Sequence, residues 1–239
     1  AGAQAGIQML PRLLPVGQAK ILAPTYNEHA ASLRASGWDV SEVADLSDLT
    51  GANLAVVVNP NNPDGAIYTP ERLSELAENC GTLIVDESFC DPHPANSLLA
   101  HDAPENVIVL RSFGKFYGLA GVRLGFVFGN ADIVSKLSEL SGPWPVSGPA
   151  IELATAAYAD VQWQADTIHR LSQDAARLDA MAEAAGWKAA GGTTLFRLYE
   201  VENAEKAQVQ LAKSKIWGRI FPYSDRWIRL GLPDGENQW

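Results

Sequence analysis

The chain has 239 residues, is 47% hydrophobic and 19% charged, and sets 18 Lys and Arg against 28 Asp and Glu for a formal net charge of −10. No stretch approaches the ~20 uninterrupted apolar residues of a membrane-spanning helix, and no low-complexity block points to disorder. The acidic balance has the wrong sign for a non-specific binder of nucleic acid or anionic membrane.

In chain order, Gly2-Ala3-Gln4 lead into an amphipathic run, Ile7-Gln8-Met9-Leu10. Residues 20–23 (KILA) read as a short strand ending at Pro24, and 27–35 as a helix stopped by Gly37. Residues 54–58 (LAVVV) are apolar on both faces, as a buried strand is. Thr69 then Pro70 give an N-cap with proline at the first helical position, and that helix runs to about Asn79. Residues 82–85 and 107–110 are further apolar strands, and 122–128 follows. The texture changes at the Pro- and Gly-rich break 141–145. Residues 149–185 read as long and helical, and Gly191-Gly192 lead into a strand over 193–198. A helix around 204–212 and short strands near 217–220 and 227–230 follow.

This order predicts an α/β fold over residues 1–148, with a mostly parallel sheet covered by helices, and a smaller α+β domain over 149–239 with a bridging helix. Cys80 and Cys90 are the only cysteines and lack a CxxC spacing or a Cys/His partner set. Buried reduced thiols in a cytoplasmic protein are expected, with no metal.

Ligands of open α/β sheets bind beyond the carboxyl ends of the strands. Tyr26 follows the first strand, Asn59, Asn61 and Asn62 the second, Asp86, Glu87 and Ser88 the third, and Arg111, Ser112 and Lys115 the fourth. Any one of these residues reads equally well as a loop cap. Four such ends in succession point to a site.

The order and spacing resemble one family. Asn-Pro-Asn-Asn-Pro-Asp-Gly (59–65), Val-Asp-Glu-Ser-Phe (85–89) and Ser-Phe-Gly-Lys (112–115), with Arg123 eight residues after Lys115, are similar to the motifs of fold-type-I pyridoxal-phosphate enzymes of the aminotransferase class I/II superfamily. The resemblance implies pyridoxal 5′-phosphate held on Lys115 as a Schiff base. Asp86 then keeps the ring nitrogen protonated, Asn62 donates to the ring 3′-oxygen, and Tyr26 stacks on the ring face. Ala3, Gln4, Ser112 and Arg123 surround the phosphate. Lys115 lies in an apolar, glycine-rich run (FGKFYGLAG), which reads as a place away from the surface. Phe89 stands where many aminotransferases carry a Tyr, leaving the ring electronics to Asn62 and Asp86.

For the substrate, Arg229 in Trp-Ile-Arg-Leu resembles the family's carboxylate-binding Arg. Arg219 resembles a second Arg of the branch acting on phosphorylated amino acids, with Asn62 beside them; Arg226 reads as a plain surface charge. The implied reaction is decarboxylation, or transamination, of such an amino acid. The family also implies a homodimer with the active site at its interface, with residues 151–159 and the N-terminal segment contributing. It places Gly2-Ala3-Gln4 inside a phosphate-binding turn, so several dozen residues are expected before it and a final helix after Trp239.

Overall fold

A computed structural model describes residues 2–239. The elements in chain order are α1 (Ala3–Leu13), β1 (Gln18–Leu22), α2 (Glu28–Ala35), β2 (Asp39–Val43), β3 (Leu54–Val58), α3 (Pro70–Glu78), β4 (Thr82–Asp86), β5 (Val107–Ser112) and β6 (Gly125–Phe128). They continue with α4 (Ala131–Ser141), α5 (Gly148–Ala159), α6 (Val161–Ala184), β7 (Lys188–Thr193), β8 (Phe196–Glu200), α7 (Ala204–Lys213), β9 (Arg219–Phe221) and β10 (Ser224–Gly231). The chain divides into two compact units: residues up to Asn62 with Ile67–Ala159, and Pro63–Ala66 with Asp160–Trp239.

The first unit holds a six-stranded sheet in the order β2-β1-β3-β4-β5-β6. Its pairs are parallel except β5 with β6. Successive residues of a strand face opposite sides of the sheet, and the cores follow that rule. Leu54, Val56, Ile84, Ile108 and Leu110 pack with Ile7 and Leu10 of α1, Leu33 of α2 and Ile133 of α4. Ala55, Val57, Leu83, Val85, Val107 and Val109 pack on the other face with Leu73 and Leu76 of α3. Strands covered on both faces need no polar alternation, which is why β3 reads as one apolar run.

Local chemistry sets the helix ends. Thr69 accepts a hydrogen bond from the Arg72 amide at the start of α3, with Pro70 at its first position. Such a cap contributes about 1 kcal/mol. The expected single helix over 149–185 is instead two, α5 and α6, because Asp160 caps a new start by accepting from the Trp163 amide at 3.0 Å. Edge strand β2 (DVSEV) and helix α4 carry no apolar run long enough to announce them, and β2 is part-exposed along its length.

The second unit is a four-stranded antiparallel sheet, β7-β8-β10-β9, with α6 and α7. Leu178, Ala182, Tyr199, Val201, Ala204 and Ile228 form its core. Arg197 grips Asp179 of α6 with Nε and Nη2 at 2.9 and 2.8 Å, and the Tyr199 hydroxyl donates to the same carboxylate at 2.8 Å. The strand expected over 193–198 is instead the end of β7, a turn and the start of β8, and Gly191 and Gly192 lie inside β7. Their reason is a close backbone approach: the Gly192 amide donates to the Asp64 carbonyl at 2.6 Å, and a Cβ on Gly191 would sit 2.1 Å from that oxygen. Gly65, at φ +72°, would likewise drive a Cβ to 2.1 Å from the Gly192 carbonyl oxygen.

Among the described residues, no helix is long and apolar enough to cross a membrane, and no group of three or more His, Cys, Asp or Glu is placed to hold a metal ion. Both cysteines are free; Cys90 is buried, whereas Cys80 is only half-buried.

Candidate active site

β1, β3, β4 and β5 run parallel, so their carboxyl ends share one edge of the sheet. Beyond that edge is a pocket lined by Gly2, Ala3, Gln4, Ile7, Tyr26, Val58, Asn62, Asp86, Ser88, Phe89, Ser112, Gly114, Lys115 and Arg123. All of these residues belong to the first unit.

At one end of the pocket is the N-terminus of α1. Its cap, Gly2, has φ +73° and no capping side chain, and the first turn carries no acidic residue. Helix geometry leaves the first amides without intrahelical acceptors, which suits an anion. Arg123 stands at this end in a left-handed conformation, φ 59°, with Nη1 donating to the Ala120 carbonyl at 2.9 Å. A Cβ on Gly2 would come within 3.1 Å of the Arg123 guanidinium. The glycine is therefore needed for its conformation, and a side chain there would press the Arg123 guanidinium aside. Gly125 of β6 lets α1 approach, since a Cβ there would lie 2.2 Å from the Ala3 amide nitrogen.

At the other end Asp86 is 2% exposed at the end of β4. Oδ2 lies 2.9 Å from His29 Nε2 of α2, and Oδ1 accepts from the Ser88 amide at 3.0 Å and the Ser88 hydroxyl at 2.5 Å. Burial alone would raise its pKa, but the bonds from His29 and Ser88 outweigh burial and hold the carboxyl below its ordinary value. The pocket thus keeps a carboxylate at its buried end and the Arg123 guanidinium with helix amides at the other.

Tyr26 is half-buried, its hydroxyl donating to Gln4 Oε1 at 3.3 Å while Gln4 Nε2 donates to Glu28 at 3.1 Å. Burial, then the charges of Glu28 and Asp86, raise the Tyr26 pKa, so the phenol stays protonated. Lys115 follows β5 with its ammonium 5.2 Å from the centroid of the Phe89 ring. The sequence context suggested a place away from the surface; Lys115 is exposed, because it lies at the open side of the pocket.

The asparagines divide by task. Asn62 lines the pocket. Asn59 is fully buried and bonds both backbone groups of Tyr68, whereas Asn61 accepts from the Thr25 hydroxyl and donates to the Pro24 carbonyl. Those two hold the loop that presents Asn62.

Arg219 and Arg229 lie in the second unit, directly paired across β9 and β10. Arg229 sits 4.9 Å over the Phe196 ring, and burial, then the charge of Arg219, lowers its pKa. Arg226 pairs with Glu200 at the surface, as expected.

His29 is the site residue that sequence reading missed. Its signal was slight: a histidine on the apolar face of α2, beside Ala30 and Leu33, three residues after Tyr26.

Over residues 1–238 the chain matches the family described as aminotransferase class I and II. The chain belongs to that family and has the fold of its enzymes. It is 42% identical to a threonine-phosphate decarboxylase from Sinorhizobium sp., over 98% of this chain and 72% of that protein. It is 39% identical to one from Pseudomonas aeruginosa, over 100% and 74%. A histidinol-phosphate aminotransferase from Sinorhizobium meliloti, solved in complex with pyridoxal-5′-phosphate, shares the fold with a TM-score of 0.84 at 20% identity, over 98% of this chain and 71% of that one.

Proposed function

We propose that the chain is a pyridoxal-phosphate enzyme that decarboxylates L-threonine O-3-phosphate to (R)-1-aminopropan-2-yl phosphate, a step of cobalamin biosynthesis. The observation that carries the reading is likeness to two threonine-phosphate decarboxylases over 98% and 100% of this chain. The pocket chemistry supports it independently. The cofactor joins an anionic phosphate to a pyridine ring, and the pocket offers a capless helix start with Arg123 at one end and a charged, buried Asp86 at the other.

In this reading Ala3, Gln4, Ser112 and Arg123 bind the cofactor phosphate, and Tyr26 faces the ring. Asn62 donates to the ring oxygen, and Asp86, kept ionised by His29 and Ser88, faces the ring nitrogen. The Lys115 amine holds the cofactor covalently. Bound there, the cofactor would supply an electron sink for the bond broken at Cα. That bond would be Cα–carboxylate: once the substrate amine has taken the place of Lys115 on the cofactor, CO₂ would depart and a proton would take its place on Cα, with the freed Lys115 Nζ as the group that moves it. Arg229 and Arg219 hold the substrate's carboxylate and phosphate. Burial first, and the charge of Arg219 second, lower the Arg229 pKa, and an anion between the two guanidinium groups would offset both.

Transamination of a phosphorylated amino acid such as histidinol phosphate uses the same residues and is the competing outcome. The working enzyme in this reading is a cytoplasmic homodimer with the active site at the interface. Incubation of the cofactor-loaded protein with phosphothreonine and, separately, with histidinol phosphate, each with 2-oxoglutarate present as amino acceptor, followed by mass spectrometry, tests the reading. The expected result is the aminopropanol phosphate from the first and no conversion of the second; a keto or aldehyde product from either would contradict it.

A further inference from the structure

Behind the pocket, on the opposite face of β4 and β5, lies a buried charged cluster. Alternation along the strands puts Asp86 and Ser112 on the face of α1 and α2, and puts Glu87 and Arg111 on the face of α3. Glu87 is fully buried. Its Oε1 accepts from the Leu98 amide at 2.8 Å, and its Oε2 from the Ser97 hydroxyl at 2.5 Å and Arg111 Nη1 at 3.1 Å. Arg111 Nη2 donates to Asp91. One guanidinium therefore spans two carboxylates carried by the segment that follows Asp86. Burial pushes Glu87 and Asp91 up, whereas the two carboxylates outweigh burial at Arg111 and hold its charge in place.

We propose that Arg111, bridging Glu87 and Asp91, is a positioning residue of the cofactor pocket: it fixes the backbone of Asp86 and of Ser112, its chain neighbour, so that the pocket's faces are set before the cofactor arrives. The inference rests on the reading of Asp86, Ser112 and Lys115 as cofactor-binding groups. A planar fork reaching two separate anchors sets geometry; a lysine ammonium, a point charge on a flexible stem, does not. A charge needed only for stability would be replaced by Lys with little effect on the pocket.

Apo-protein titrated with pyridoxal 5′-phosphate, followed by absorbance, with the melting temperature of each apo-protein measured alongside, tests this. Arg197→Lys, which breaks the Arg197–Asp179 fork in the second unit, controls for loss of stability alone. Arg111→Lys is expected to weaken cofactor binding at least ~10-fold, the usual scale for support of a ligand-holding group. Arg197→Lys lowers the melting temperature comparably and leaves cofactor affinity at the wild-type value. Equal affinity in Arg111→Lys and wild type overturns the proposal, as does equal weakening by both variants. Should Arg111→Lys not fold, Asp91→Asn removes one of the two anchors and is judged by the same criteria. Wild-type protein that takes up no cofactor overturns the functional reading instead, and the role of Arg111 with it.

Discussion

His29 Nε2 and Asp86 Oδ2 meet at 2.9 Å with both side chains buried, one from the first turn of α2 and the other from the end of β4. That contact, with the bonds from Ser88, reverses the effect of burial on the carboxyl. A group with a depressed pKa adds stability above its ordinary value of about 3.9 and loses it as pH falls through the lowered folded value. His29→Phe removes a partner and leaves a buried charge under-bonded, at a cost of roughly 1–3 kcal/mol. Chemical denaturation from pH 8 to pH 2 is expected to show the full deficit at neutral pH, shrinking only below about pH 4 as acid neutralises Asp86. A deficit constant across that range would contradict the assignment.

The anion end of the pocket depends on how closely α1 approaches β6. Gly125→Ala forces a Cβ to 2.2 Å from the Ala3 amide nitrogen. Something must shift, and the helix start is what moves. Titration with pyridoxal 5′-phosphate should show weakening of at least ~10-fold in a protein that still melts cooperatively. Binding at the wild-type level would mean that the Gly2–Gln4 turn does not hold the phosphate.

Two of the C-terminal arginines should separate. Arg229→Lys removes a planar fork and should raise KM for phosphothreonine by about 10-fold to 100-fold, the equivalent of a charged hydrogen bond. Arg226→Ala loses a surface pair with Glu200, worth about 0–1 kcal/mol, and should leave steady-state kinetics unchanged. The same KM in both variants would remove Arg229 from the site.

Neither cysteine is built for reactivity. Burial pushes the Cys80 thiol up to about 11, and burial with the charge of Glu87 pushes Cys90 up to about 12. Iodoacetamide at pH 8 should modify the native protein slowly and the denatured protein at both positions, because the thiolate is the nucleophile. Fast labelling of one native thiol would contradict these surroundings.

Much of the fold was legible because its central strands are buried on both faces and announce themselves as apolar runs. The edge strand β2 had no such run, and the Asp160 cap that divides α5 from α6 was hidden in a continuously helical texture. Tyr26, Asn62, Asp86, Ser112 and Lys115 could be picked out because each stands at the end of a strand, where chain order alone implies a shared edge. His29 could not, since its partner lies 57 residues away and nothing local shows which way a helix face turns. The role of Gly191-Gly192 was equally hidden, because what they meet is the backbone of Asp64 and Gly65.

Which bond breaks at Cα separates decarboxylation from transamination. Release of ¹⁴CO₂ from carboxyl-labelled L-threonine O-3-phosphate, with and without 2-oxoglutarate, addresses it directly. Release is expected at the same rate in both, and is expected to be lost in Lys115→Ala. Turnover that requires the keto acid and releases no CO₂ would contradict the decarboxylase reading.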